Sequence, residues 1–274
     1  MPCRLCFRDR KLVKSHIVPE AFWRDLRDEV EGAPWLISGA DGVYAQRSHS
    51  GVYDQGILCD ECEPRFGDLD EYGIRVLLQD FDRLFSPVID TVFPARVAGY
   101  ESTSVDQDRL LRFFVSVLWR ASVSTQPFYS NVVLGDLEAA STSVLDPAVP
   151  VPAVFGAVLA RWTPAEDMGY AAHGMLDPIT LTPEGTPLYI VYFGQCVAYL
   201  RASEVPFGPK LGANRLGADA NLRVTSRDFR RSGELQAMVH TANRSRERQE
   251  RADEVRRQRR VEPLRAREDG EARD

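Results

Sequence analysis

Long apolar runs are missing from this chain of 274 residues, and with them any helix able to span a bilayer. The opening Met-Pro-Cys-Arg-Leu-Cys lacks a basic-then-apolar leader pattern, and Cys3 is expected to belong to a folded unit. Cysteine is scarce: there are five, and four fall in two Cys-x-x-Cys pairs. So few thiols in a chain without a leader do not read as a disulfide framework. They read as metal binding in a reducing, cytoplasmic setting. The fifth, Cys196, lies in the apolar run 189–200 and is expected to be a buried strand thiol. A basic excess is lacking as well. The formal net charge is −6, from 34 Lys and Arg against 40 Asp and Glu, which argues against a large nonspecific nucleic-acid surface. A compact basic patch remains open, because Arg4, Arg8, Arg10, Lys11 and Lys14 crowd the first pair. There is no internal repeat. The length allows a sizeable core or two modest domains.

The two pairs are Cys3-Arg-Leu-Cys6 and Cys59-Asp-Glu-Cys62. Each places two sulfurs on one tight turn, and two such turns complete a tetrahedral zinc shell. An all-sulfur shell has no open position for water, so the expected zinc is structural. An iron–sulfur cluster or a redox pair is the alternative. The 52 residues between the pairs exceed a simple zinc ribbon, so a folded segment must lie between them, and His16 is in it.

The expected fold class is α+β, with a zinc-stabilised module over 1–80, an α+β body over 81–243 and a charged helical or disordered tail over 244–274. Pro19 to Val30 fits a short amphipathic helix, with Phe22, Leu26 and Val30 on one face. A helix from Glu63 is weakened by Gly67 and Gly73. Residues 107–125 form the clearest helix, with an apolar face too wide for much solvent exposure. Another helix is expected over Leu134–Leu145. Strand character appears in Ala153–Trp162, Met168–His173 and Leu188–Leu200, which suggests a small antiparallel sheet packed on helices. From Ser226 onward a helix is expected that loses its core face near Val239. Between Arg244 and Arg260 stand eight arginines and four acids, which reads as a solvated tail or as a nonspecific contact for nucleic-acid phosphates or an acidic partner.

The segment Lys14-Ser-His-Ile-Val-Pro19 between the two pairs resembles the zinc-bound HNH endonucleases, whose ββα-metal core lies between two such knuckles. With Gly51-Val-Tyr-Asp54, Leu58-Cys-Asp-Glu-Cys-Glu63 and Tyr72, it is similar to a group of bacterial HNH-like proteins. The resemblance covers residues 3 to about 72, and Arg112–Ser122 is similar to a later helix of that group. It implies His16 as general base for water attacking a phosphodiester, with a magnesium or manganese ion at the scissile phosphate. It places Asp54 at the middle position of the motif and Glu63 at the last. Two positions depart from the pattern: Ser15 stands where a metal-binding acid is usual, and Glu63 replaces a His or Asn. Asp54 and Glu63 together are therefore the expected carboxylate pair around a hard cation. His49 is a minor candidate ligand.

Each of these residues also has a structural reading. His16 fits a packed histidine, Asp54 a turn cap and Glu63 an acid at a helix N-terminus. Asp70 and Glu71 fit a solvated face, and Arg120 fits an internal salt bridge. The functional expectation is an HNH-type nuclease acting on nucleic acid, DNA in the first instance, with no membrane association. The alternative is a catalytically degenerate zinc adaptor that binds nucleic acid, or a protein partner through the body or the tail.

Overall fold

The computed structural model describes residues 1–27, 32–38, 45–93, 96–163 and 174–271, with side chains described to residue 254 apart from 249. The N-terminal third is made of short pieces: β1 (Ser15–His16), α1 (Glu20–Asp25), β2 (Trp35–Ile37), β3 (Gln46–Arg47) and β4 (Tyr53–Asp54). Pro19 caps α1, which buries Phe22 and Trp23. A 3-10 turn over Glu63–Phe66 leads into α2 (Gly67–Ile74), followed by a π turn over Arg75–Gln79 and by α3 (Phe81–Leu84). Next come β5 (Ser86–Ile89), β6 (Val97–Ser102), α4 (Gln107–Val123) and α5 (Leu137–Ser141). The chain closes with β7 (Phe155–Thr163), β8 (Gly174–Leu176), β9 (Ile179–Leu181), β10 (Leu188–Phe193), β11 (Cys196–Ala202), α6 (Pro209–Gly212), β12 (Leu222–Asp228) and α7 (Gly233–Glu271).

Seven strands form one sheet in the order β5-β6-β12-β7-β11-β10-β9. All its ladders are antiparallel except β7 with β12, which run parallel. A small sheet, β3-β2-β8, joins the N-terminal third to the body, and β1 pairs with β4. The α+β expectation therefore holds, but the sheet is larger than expected and is mixed. The single run 188–200 is a hairpin that turns at Gly194, whose φ is +61°. The helix expected from Ser226 begins at Gly233, because 222–228 is strand β12. Leu222 and Val224 are buried there while Arg223 and Thr225 are exposed, the period-two pattern of a strand with one face covered. Residues 28–30 of the first expected helix, and the strand expected over 168–173, lie outside the described residues.

The two faces of the large sheet have different covers. On one, Phe193 meets Phe22 of α1 and Phe113 and Phe114 of α4, with ring centroids 5.4 Å away in each case. On the other, Trp162 meets Phe229, and Arg227 pairs with Glu234 at the start of α7. The helix α4 is buried on nearly every side, because α2 packs on its back. Gly73 of α2 makes that approach feasible: a Cβ there would lie 2.6 Å from the Phe113 ring. Buried residues from Cys3 to Phe85 and from the sheet form one continuous cluster, so the N-terminal third and the body share a core. Among the described residues, no helix is long and apolar enough to cross a membrane.

Candidate metal centre and histidine site

The first knuckle closes where Phe7 N–H donates to the Cys3 carbonyl at 2.9 Å and Cys3 N–H donates to the Arg8 carbonyl at 3.0 Å. The second closes where the Cys62 and Glu63 amides donate to the Cys59 carbonyl, each at 3.0 Å. Main-chain bonds tie the knuckles together: Arg4 N–H to Ile57 at 2.8 Å, Val13 N–H to Leu58 at 2.9 Å and Asp60 N–H to Lys11 at 3.3 Å. The result is that the sulfurs of Cys3, Cys6, Cys59 and Cys62 all lie within 4.8 Å of one another. Tetrahedral zinc with bonds of about 2.3 Å separates its sulfurs by about 3.8 Å, and Cys6 Sγ is 3.9 Å from Cys59 Sγ.

The donor set also fits a cation electrostatically. Burial opposes ionisation of Cys3, but hydrogen bonds from the Cys6, Cys59 and Leu5 backbone outweigh it and bring that thiol to about 7. Burial and the neighbouring sulfurs push the Cys62 thiol far up. Such a cluster loses its first proton readily and its last only when a cation balances the charge. Four cysteines placed this way can hold zinc. Cys196 is elsewhere: it is buried in β11, its thiol is raised to about 11 by burial, and it faces the Leu77 carbonyl at 3.6 Å.

The strands β1 and β4 carry the rest of the motif. Their register sets Ser15 opposite Asp54 and His16 opposite Tyr53. Side chains alternate between faces, so His16 shares a face with Tyr53, and Asp54 shares the other with Ser15. The His16 and Tyr53 rings meet edge to face at 5.8 Å. Gly51 lets the chain enter β4 at φ +74°, and a Cβ there would lie 2.2 Å from the Trp23 ring.

Asp54 is 2% exposed, and its carboxylate is fully engaged. Oδ1 accepts from Gly56 N–H at 2.7 Å. Oδ2 accepts from Ser124 Oγ at 3.0 Å, Thr125 N–H at 2.7 Å and Thr125 Oγ1 at 2.9 Å. Burial opposes its ionisation, but those donors win and hold its pKa below the usual value. The expected Asp54–Glu63 pair around one cation is thus not what the geometry offers. Asp54 caps its own turn and fastens the chain leaving α4.

The His16 ring has one nitrogen, Nε2, buried without a hydrogen-bond partner, while the Ser50 backbone accepts from the ring. Burial is the main force lowering its pKa; Lys14 adds to this, and Glu20 opposes it. The neutral imidazole is therefore favoured at neutral pH. The His16 main-chain carbonyl accepts from Arg120 Nη1 at 2.9 Å. The same guanidinium grips Asp70 at 2.8 and 2.5 Å and lies 5.0 Å from the centre of the Phe66 ring. Asp70 is therefore the partner of a buried arginine and not part of a solvated face.

Glu63 is half-buried at the start of the 3-10 turn, and its side chain makes no hydrogen bond or ion pair among the described residues. Burial raises its carboxyl above the ordinary range; Arg120 opposes this and the negative Asp70 reinforces it. The Tyr72 hydroxyl exchanges hydrogen bonds with the Asp106 main chain, at 3.2 and 2.7 Å, and serves to dock α2 on the start of α4. His49 is exposed in a bend, where its carbonyl accepts from Arg27.

No protein-family model, curated protein or solved structure matches this chain.

Proposed function

We propose that this chain is a metal-dependent phosphodiester hydrolase of the HNH type, with His16 as its general base and DNA as the first substrate to try. The observation that carries the reading is the His16 ring. One nitrogen is held by the Ser50 backbone, while buried Nε2 is left without a partner, its imidazole biased to the neutral form. Nε2 is the atom that takes the proton of a water attacking phosphorus, as the bond to the departing oxygen breaks, and this reading requires the cover over Nε2 to open and admit that water. Further support comes from the order of elements, β1, then β4, then a helical segment starting at Glu63. Glu63 brings an unpaired carboxylate with a raised pKa. The hard cation of this reading, magnesium or manganese, would be held through Glu63 and would supply charge neutralisation at the phosphate.

A second reading, a zinc module that binds without cutting, is favoured by Asp54, whose carboxylate is spent on four donors, and by Ser15 at the usual acid position. Incubation of plasmid, single-stranded DNA and RNA with the purified protein under magnesium, manganese or EDTA separates the two. The nuclease reading expects cation-dependent cleavage that His16→Ala abolishes. Binding without cleavage of any of the three polymers supports the adaptor.

A further inference from the structure

We propose that the first knuckle and the strand leaving it form a track for an unpaired nucleic-acid strand, with Phe7 as a platform on which a base stacks. The inference rests on the nucleic-acid reading above and adds to it the strandedness of the ligand and the residue that reads it. Phe7 has a φ of +57°, in the left-handed region. Glycine enters that region freely, and a bulky side chain does so at a cost. The turn itself needs only the Phe7 N–H, which donates to the Cys3 carbonyl. The ring gives the fold nothing in return. It is 78% exposed, lies outside the buried core and makes no aromatic contact among the described residues. Strain retained beside a functional element, on a side chain facing solvent, points to a use for the ring outside the chain.

The neighbours supply the charge such a ligand needs. Between Phe7 and His16 stand Arg8, Arg10, Lys11 and Lys14 against the single acid Asp9, in a chain whose net charge is −6. Arg4 and Arg10 are tied to Glu138 and Glu61. Arg8 and Lys11 are exposed, and their side chains make no hydrogen bond or ion pair among the described residues. Lys14 Nζ sits 4.2 Å from the centre of the Tyr53 ring, and Tyr53 is 36% exposed beside His16. Aromatic faces alternating with cations are the pattern of single-strand grooves: the cations follow the phosphates and the rings take the bases. A duplex hides its base faces in its own stack, so a stacking platform selects unpaired strands. Phe7 lies nine residues before His16, a reach of at most about 30 Å, and the far end of the track, Lys14 and Tyr53, stands against the proposed base.

The test uses the full-length, zinc-loaded protein without added magnesium, so that binding is read apart from cleavage. Fluorescence anisotropy is measured with a labelled sixteen-nucleotide oligo-dT and with a duplex of equal length, for wild type, Phe7→Gly and Phe7→Trp. The expected result is tighter binding of the single strand, weakened roughly tenfold or more by Phe7→Gly and kept by Phe7→Trp. In the same experiment Phe7→Gly raises Tm, since glycine relaxes the turn. Equal or better binding of the duplex overturns the proposal. So does unchanged binding by Phe7→Gly, or a loss of binding that comes with a lower Tm. Cleavage is scored separately. Phe7-dependent binding by a protein that never cuts sinks the nuclease reading and leaves the track. Cation-dependent cutting with binding indifferent to Phe7 does the reverse.

Discussion

Arg120 holds the main-chain carbonyl of His16 at 2.9 Å across 104 residues of sequence, and it grips Asp70 with the same guanidinium. A residue in the last turn of α4, the body's central helix, thus fixes the backbone of the candidate base. Arg120 is 2% exposed, so these bonds are made in a poorly screened setting.

Arg120→Ala strands the Asp70 carboxylate and leaves the His16 carbonyl without its donor. The expected loss is about 3 to 5 kcal/mol of unfolding free energy, read from urea titration. Asp70→Asn keeps one acceptor for Arg120 and should lose less. A loss below about 1 kcal/mol in Arg120→Ala would show that the link is not structural.

Asp54 is the second fastening, from β4 to the end of α4. Asp54→Ala leaves the buried amides of Gly56 and Thr125 without acceptors, at a cost of about 3 kcal/mol. The pKa shift sets a pH window. A carboxyl held below its unfolded value of about 3.9 stabilises fully above that pH, and the contribution fades as pH falls through the folded value. The wild type should therefore lose stability steeply below about pH 4, and Asp54→Asn should show a shallower slope in acid titrations followed by circular dichroism.

Glu63 has the opposite sign. Its folded pKa is raised, so the native state binds its proton more tightly than the unfolded chain. Stability then falls as pH rises from the unfolded value of about 4.3 through the folded one. Glu63→Gln should be more stable than wild type at pH 7 without divalent cations. Magnesium should raise the wild-type Tm and leave that of Glu63→Gln unchanged. A variant less stable than wild type at pH 7 would refute the unpaired state of this carboxylate.

His16 predicts the pH profile of any cleavage. Its pKa is lowered by burial, so the acid limb of the rate should be centred below pH 6.5. An acid limb centred above pH 6.5 would point to another base. The same shift ties stability to pH: it is full above the unfolded value near 6.5 and is lost as pH falls through the folded one.

Zinc removal should unfold the N-terminal third. Elemental analysis is expected to find one zinc per chain in wild type and in Cys196→Ala, whose thiol lies outside the cluster. Cys59→Ser should lose the metal and lower Tm by several degrees or more. Retention of full zinc by Cys59→Ser would contradict the four-sulfur shell.

The parts of this molecule that could be read from sequence are those whose signal is local. Two Cys-x-x-Cys turns announce themselves by spacing, and the apolar breadth of 110–121 announces a helix buried on both sides. The large sheet was harder to see. Its β12 carries only Leu222 and Val224 as inward residues, and the polar chain beyond them suggested an early helix. The parallel pairing of β12 with β7 has no local signature. At the site, the identity of Asp54 suggested a ligand, but its role is set by Ser124 and Thr125, seventy residues on, and by a register that turns it away from His16. That register depends on which face of a two-residue strand is buried, and two residues carry no periodicity.

The β3-β2-β8 sheet is not all that joins the N-terminal third to later chain, and two further hydrogen bonds bear on how the chain is made. Thr241 Oγ1 donates to the Ser38 carbonyl at 3.0 Å, and the Ala45 amide donates to Ser245 Oγ at 3.1 Å. Both join the first fifth of the chain to its last helix. A nascent chain emerging N-terminus first can gather its four cysteines early, yet must wait for nearly the whole polypeptide to leave the ribosome before β2 and its flanks gain these partners. Zinc capture and completion of the N-terminal third should therefore be separate events in time, and the interval between them is when the half-finished edge of β2 is open to the wrong neighbour.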